Sequence, residues 1–345
     1  MSTNLIPIKA FLGKYYTELN YSATQDKYKN TKLDSFFEQR FYIQNNKVQM
    51  VVDPLLRGLV VSFCGNEVHI SQELYDHPNM VITNTIENSN QQINPKSLYN
   101  AEIFSTVAYL ICQNHTMFQI IGEVDEPIYV KYKTEYETFH NSVGLFEVIT
   151  GVSVEIVEEI ESVSALNSVC NYVVHNGASI KLTTFYQNRI SGLSYVFRNI
   201  IVKEHGSFEH ILFGKGSSNV IDETKLTAHN LSKSEFLGVR NSDRKNFHSI
   251  LSILPQSEEY DVNVDYRDVL FAKADLTFFP VVLGQDPVEK ATISVTNIKL
   301  EEIPSENIEM EIKGHTSHIV DRAVLERMVG GTRFYNNKNK FLHFP

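Results

Sequence analysis

Tryptophan is absent from this 345-residue chain, cysteine occurs only three times, and there is no excess of positive charge. Each shortage removes a class of protein. Cys64, Cys112 and Cys170 lie in separate apolar runs, each far along the chain from the next, which is neither a CxxC metal motif nor a disulfide framework. All three are expected to be buried as small hydrophobes, a usage that fits a reducing cytoplasm. No uninterrupted apolar run approaches the ~18 residues of a membrane span, and Met1–Leu12 has no charged segment followed by an apolar one, so neither spanning nor export is expected. A net charge of −10 and a pI near 5.7 argue against a general phosphate-backbone binder, so nucleic acid is not expected as a partner. No GxSxG elbow, HExxH helix or dinucleotide fingerprint occurs, which weighs against an enzyme.

What is present is enough to build a core. Hydrophobic residues make up 42% of the chain and aromatics 11%, so wholesale disorder is not expected. The chain exceeds a typical domain, but a single elongated β architecture can reach this length. The spans Leu5–Tyr21 and Leu33–Arg40 could be helical, with a polar stretch between them. From Val48 onward the chain turns to short runs rich in Val, Ile, Phe and Tyr: Val48–Val52, Leu59–Cys64, Val107–Cys112, Phe118–Val124 and Ile128–Thr134 read as strands. Asn84–Lys96 is polar and reads as an exposed loop. Near the end, Asp321–Val329 carries Val324, Leu325 and Met328 at helical spacing behind an acidic start and is stopped by Gly330-Gly331.

Beyond residue 140 a weak self-similarity appears. A small or turn-forming residue, a serine and then alternating apolar and polar positions recur in Gly151–Ile156, Gly177–Leu182 and Gly206–Ile211, with a fainter copy in Ser234–Leu237. The serines of these copies, Ser153, Ser179, Ser207 and Ser234, follow one another at a near-constant interval. A steady period of this size suits a β-solenoid, in which each coil buries its inward face by stacking on its neighbours. An ordinary β-sandwich, whose strands alternate with turns every ~8–12 residues, is the alternative. The expected fold is mainly β, a right-handed parallel β-helix with a mixed N-terminal region and a short C-terminal helix. Its parts are a mixed α/β region over 1–100, the β-helix core over 101–312, and the helix with its tail over 313–345.

His175–Thr184, Arg198–Ser207 with Phe213–Ser218, and the junction Glu311–Thr316 followed by Asp321–Met328 together resemble the SufB/SufD scaffolds of iron–sulfur cluster assembly. The similarity runs from about Val48 to Gly331 and is clearest in Phe139–Glu161, His175–Gln187, Arg198–Ser218 and Ile303–Gly331. It implies a β-helix that acts as a scaffold and takes partners. At the junction the sequence departs from the family: Glu311 stands where the family has a cysteine proposed as a cluster ligand, and Lys313 where it has a histidine. Neither ligand carries over. Only the short stretch Arg333–Pro345 follows Thr332, whereas the family continues into helices that dock an ABC-type ATPase, which counts against docking of a SufC-like ATPase.

Several groups invite a chemical reading. His315 and His318, three apart beside Glu311, could hold iron or zinc in place of the missing ligands, although a surface turn with unrelated histidines is the simpler explanation. His205 and His210 lie at an odd offset about a strand, so they face opposite sides and read as isolated structural or exposed histidines. Asp261, Asn263 and Asp265 share one strand face, but Tyr266 and Ala272 replace the glycine and glutamate of a calcium loop. Asp261 and Asp265 would be about 13 Å apart, beyond the ~5–9.5 Å of paired glycosidase carboxylates. Gly214–Ser218 has the letters of a phosphate loop without its spacing and reads as a turn. Arg322, Arg327, Arg333, Lys338 and Lys340 form a basic C-terminal segment in an acidic chain, and Lys313, Arg322 and Arg327 are the candidate partner contacts.

These features converge on an expected cytoplasmic, non-catalytic scaffold of the SufD kind. It would pair with a SufB-like subunit or with a second copy, with ATP hydrolysis left to a SufC-like partner. No tightly bound cofactor is expected, and a cluster would be shared with the partner. The alternatives are a repurposed β-solenoid that only binds protein, and a carbohydrate-active β-helix protein, which the missing tryptophan and the carboxylate spacing disfavour.

Overall fold

Alternation of apolar and polar residues dictates the architecture. In Ser153–Glu161 every second side chain, from Val154 to Ile160, is buried while those between are half-buried or exposed, the signature of a strand with one face on a core. The computed structural model describes residues 6–7, 10, 40–41, 49–64, 67–84, 108, 116–134, 139–188, 193–216, 219–242, 247–257, 259–270, 276–282 and 291–299.

In chain order the strands are β1 (Ile6–Pro7), β2 (Arg40–Phe41), β3 (Gln49–Val52), β4 (Val60–Cys64), β5 (Glu67–Ile70), β6 (Met80–Asn84), β7 (Thr116–Ile120), β8 (Ile128–Lys133), β9 (Phe139–Val148) and β10 (Ser153–Glu161). They continue as β11 (Ala165–Val174), β12 (Ser179–Asn188), β13 (Leu193–Val202), β14 (Ser207–Gly216), β15 (Asn219–Ala228), β16 (Ser232–Ser242), β17 (Phe247–Pro255), β18 (Tyr260–Leu270), β19 (Leu276–Val282) and β20 (Ala291–Lys299). From β7 onward the strands alternate between two parallel sheets. One runs β8-β10-β12-β14-β16-β18-β20 and the other β7-β9-β11-β13-β15-β17-β19. Each coil therefore lays one strand on each sheet, and the fold is the parallel β-solenoid that the repeat predicts; a sandwich of antiparallel strands is excluded.

Tight turns close the coils. In each of Ile149–Val152, His175–Ala178, Lys203–Gly206 and His229–Ser232, the fourth residue's N–H donates to the first residue's carbonyl. The third residue takes a positive φ: Gly151 (77°), Gly177 (66°), His205 (56°) and Leu231 (54°). That residue's N–H points out of its own turn and donates to the next coil's turn, as from Gly151 to Asn176 O and from Gly177 to Glu204 O. Glycine reaches this conformation without a Cβ penalty, whereas histidine and leucine are strained there.

The register corrects the repeat in two places. Ser153, Ser179 and Ser207 do stack, and Ser179 Oγ donates to Ser153 Oγ at 2.6 Å, but Ser207 pairs with Lys233 rather than Ser234. Ser234 pairs with Phe208 and is buried on the inner face. Gly206 occupies the position of Val152 and Ala178, and His205 holds the place of the turn glycines. A slip of one residue moves a side chain to the opposite face.

At the N-terminal end the pattern becomes irregular. The even sheet continues from β8 through β4 to β5 and β3, with β4 antiparallel to β5, and the odd sheet ends with β6 antiparallel to β7. The two sheets thus take in strands from before residue 101. A short helix, α1 (Gln72–Tyr75), is started by Ser71, whose Oγ accepts from Leu74 N at 3.2 Å and from Val60 N at 3.1 Å.

Several expectations are corrected here. Ile6–Pro7 and Arg40–Phe41 pair as antiparallel strands, so the two N-terminal helices do not extend over those ends, although Ala10 is helical. Proline is tolerated in such a marginal strand because it lies outside a continuous ladder. Ala108 is helical, within a run read as a strand. Gly214, Lys215 and Gly216 end strand β14 rather than forming a turn, because coil-to-coil hydrogen bonds outweigh the local preference of glycine. Cys170 is fully buried as expected, but Cys64 is only half-buried. Cys112, the loop expected beyond Asn84 and the helix expected over Asp321–Val329 lie outside the described residues.

The core runs the length of the stack. Phe118, Phe146 and Tyr172 lie on consecutive coils of the odd sheet with ring centroids 4.8 and 5.7 Å apart, and Phe208 and Phe236 meet them from the even sheet. Rings repeated in one ladder position bury apolar area and fix the stacking order.

Candidate functional site

Charged residues break the inward apolar parity at three positions: Glu158 among Ile156 and Ile160, Arg198 between Val196 and Ile200, and Asp222 between Val220 and Leu226. All three point into the solenoid. Arg198 has no exposed surface; its Nε and Nη2 donate to Glu158 Oε2 at 3.0 and 2.6 Å, and its Nη1 donates to Asp222 Oδ2 at 2.8 Å. Tyr172 and Thr184 donate to the two oxygens of Glu158, and Tyr186 donates to Asp222. The cluster links both sheets, with β10, β12 and β14 on one side and β11, β13 and β15 on the other.

Thr184 fixes the state of His210. Its single hydroxyl proton goes to Glu158, so its lone pairs receive Arg198 Nη2 at 3.3 Å and His210 Nε2 at 3.1 Å. His210 therefore carries a proton on Nε2, and its Nδ1 has no hydrogen-bond partner among the described residues. Burial, and then the charge of Arg198, depress its pKa to about 3. Burial also lowers His140 to about 4 and raises the Cys170 thiol to about 12, with Glu158 adding to the thiol's shift. Burial works against the charge of Arg198, but Asp222 and Glu158 outweigh it and hold the guanidinium charged. Every proton here is committed and no member of the cluster faces solvent. The network ties coils together and offers no reactive group to a substrate.

Solvent meets the protein differently on the outer face of the even sheet. An open groove of ≈ 640 Å³ crosses the beginnings of β10, β12, β14, β16 and β18 and is walled at one end by the loop Val124–Pro127 that leads into β8. Two outward ladders line it, Ser153–Ser179–Ser207–Lys233–Asp261 and Glu155–Lys181–Glu209–Glu235–Asn263. Lys181 pairs with Glu155 at 3.0 Å, and Asn263 Nδ2 donates to Glu235 at 3.3 Å. Among the described residues, Asp125, Glu126, Glu209 and Asp261 have no ion-pair partner.

Of the residues singled out from sequence, Asp261, Asn263 and Asp265 share the outer face of β18 as expected, and the first two border this groove. His205 is exposed in a turn and His210 is interior, as their offset requires. The metal candidates Glu311, His315 and His318 and the interface candidates Lys313, Arg322 and Arg327 lie outside the described residues. Within the described residues, no three His, Cys, Asp or Glu side chains are grouped to hold a metal, and no helix is long and apolar enough to cross a membrane. Sequence reasoning missed Glu158, Arg198 and Asp222; a charge at an inward parity position was the available signal. No protein-family model and no curated protein matches the chain.

Proposed function

We propose that this chain is a cytoplasmic, non-catalytic scaffold subunit of iron–sulfur cluster assembly, of the kind that resembles SufD. It pairs with a SufB-like subunit, and ATP hydrolysis resides in a SufC-like partner. The observation that supports this reading is the parallel solenoid. The stretches Phe139–Glu161, His175–Gln187 and Arg198–Ser218, which carry the resemblance, fall on β9 and β10, on β12 with the turn before it, and on β13 and β14 of one stack. The role is positional. A rigid stack of coils, locked internally by Arg198, presents fixed outer ladders against which a partner's cysteine and carboxylate ligands are held while iron and sulfide arrive as cargo.

Glu311 and Lys313 do not supply the thiolate and imidazole of the family's junction, and a lysine ammonium has no lone pair for a metal. No step is therefore assigned to ligands of this chain, and its contribution is to hold the partner. The same two residues favour the second reading, a repurposed solenoid that binds protein without cluster chemistry. A pull-down of the tagged chain from its native cytoplasm, with iron and sulfide determined on the eluate, separates the two. Recovery of a SufB-like subunit and an ATPase supports the scaffold. Recovery of the chain alone, free of metal at native abundance, rules out cluster assembly in favour of the binding module.

A further inference from the structure

We propose that the groove across the even sheet is a docking site for a basic, extended polypeptide segment, and that its occupant is the chain's own segment Arg333–Lys340. The groove carries six carboxylates, including Glu209, Glu235 and Asp261, against two lysines, Lys181 and Lys233, a surplus of four negative charges. The segment carries Arg333, Lys338 and Lys340, and no acidic residue occurs from Thr332 to Pro345. Charges of opposite sign are thus concentrated on a groove and on a stretch of the same chain.

Two further observations favour this occupant. Parallel strands repeat every ~4.8 Å, so the five rows from Ser153 to Asp261 span roughly 19 Å, about six extended residues, and Arg333–Lys340 is long enough to cross them. The route is also open. Among the described residues β20 is the last strand of the sheet that bears the groove, and its first residue, Ala291, pairs with Val262, next to Asp261. The stretch between Lys299 and Arg333 can reach up to about 110 Å when extended, so length does not limit docking.

The test uses the full-length chain. Zero-length carbodiimide coupling followed by peptide mass spectrometry is expected to join Lys338 or Lys340 to Glu209, Glu235 or Asp261. A mixture of isotope-labelled and unlabelled chains tells whether each crosslink is intramolecular. The isosteric variant Glu209→Gln/Glu235→Gln/Asp261→Asn is expected to lose these crosslinks and to speed trypsin cleavage after Arg333, Lys338 and Lys340 about ten-fold. Removing the groove's positive charges with Lys181→Gln/Lys233→Gln is expected to slow that cleavage, which a merely destabilised fold would not do. Unchanged cleavage in both variants, or lysine crosslinks scattered over the acidic surface, overturns the proposal. Crosslinks found only between copies also overturn the occupant named here and assign the groove to a second chain.

Discussion

Replacing Arg198 by methionine keeps the unbranched apolar stem of the side chain and removes the one positive charge that, among the described residues, serves Glu158 and Asp222. The guanidinium is fully buried and makes three bonds to the two carboxylates, at 2.6, 2.8 and 3.0 Å. Without it, Glu158 keeps only the hydroxyls of Tyr172 and Thr184, and Asp222 that of Tyr186. Breaking a buried pair by removing one partner costs about 3–5 kcal/mol, and here one cation serves two anions, so a loss near 5 kcal/mol at pH 7 is expected. That is a large share of the ~5–15 kcal/mol that usually separates folded from unfolded chains. The triple variant Arg198→Met/Glu158→Gln/Asp222→Asn keeps an acceptor for each hydroxyl but buries no charge, and should return to within about 1–2 kcal/mol of the parent. Urea unfolding followed by circular dichroism gives these differences from midpoint and slope. A single variant that loses less than about 1 kcal/mol, or a triple variant as unstable as the single one, refutes the reasoning.

Three other outcomes are expected. His210 is held neutral with a pKa of about 3, so the unfolded state takes up a proton between its ordinary value and that one, and stability falls as pH drops through this window. His210→Gln, which keeps a donor for Thr184 but cannot titrate, should flatten urea midpoints measured from pH 7 to pH 4, and an unchanged slope would contradict the assignment. Iodoacetamide at pH 8 should label Cys64 well before Cys170, whose buried thiol is pushed up to about 12; peptide mass spectrometry reads the order, and equal labelling in the folded chain would count against it. Leu231→Gly relieves a leucine at φ 54° and should stabilise by about 0.5–1 kcal/mol, while Gly177→Ala at φ 66° should destabilise by a similar amount, both measurable as shifts in melting temperature.

Strand parity and the period of the coil were legible in the sequence because both are local: alternate residues of an extended chain face opposite sides, and a stacked coil repeats its own length. Ser153, Ser179 and Ser207 could be read off as equivalent for that reason. The fourth copy could not. Ser234 follows Lys233 in a stretch where either could continue the outer ladder, and only the hydrogen bonds of β16 to β14 and β18 decide that Lys233 faces out. The same holds for Gly206, which looks like a turn glycine until the stacking of turns gives that place to His205.

The polar interior was further from view. Glu158, Arg198 and Asp222 are each marked by a charge at an inward position, but they lie far apart in the chain on β10, β13 and β15. The sequence by itself determined that this chain forms strands with one buried face, repeated at a solenoid's period, since solvation and backbone geometry act residue by residue. Which charge meets which, which serine is buried and where a groove opens were decided by the tertiary structure alone, because these depend on how far each coil is offset when it stacks on the one before.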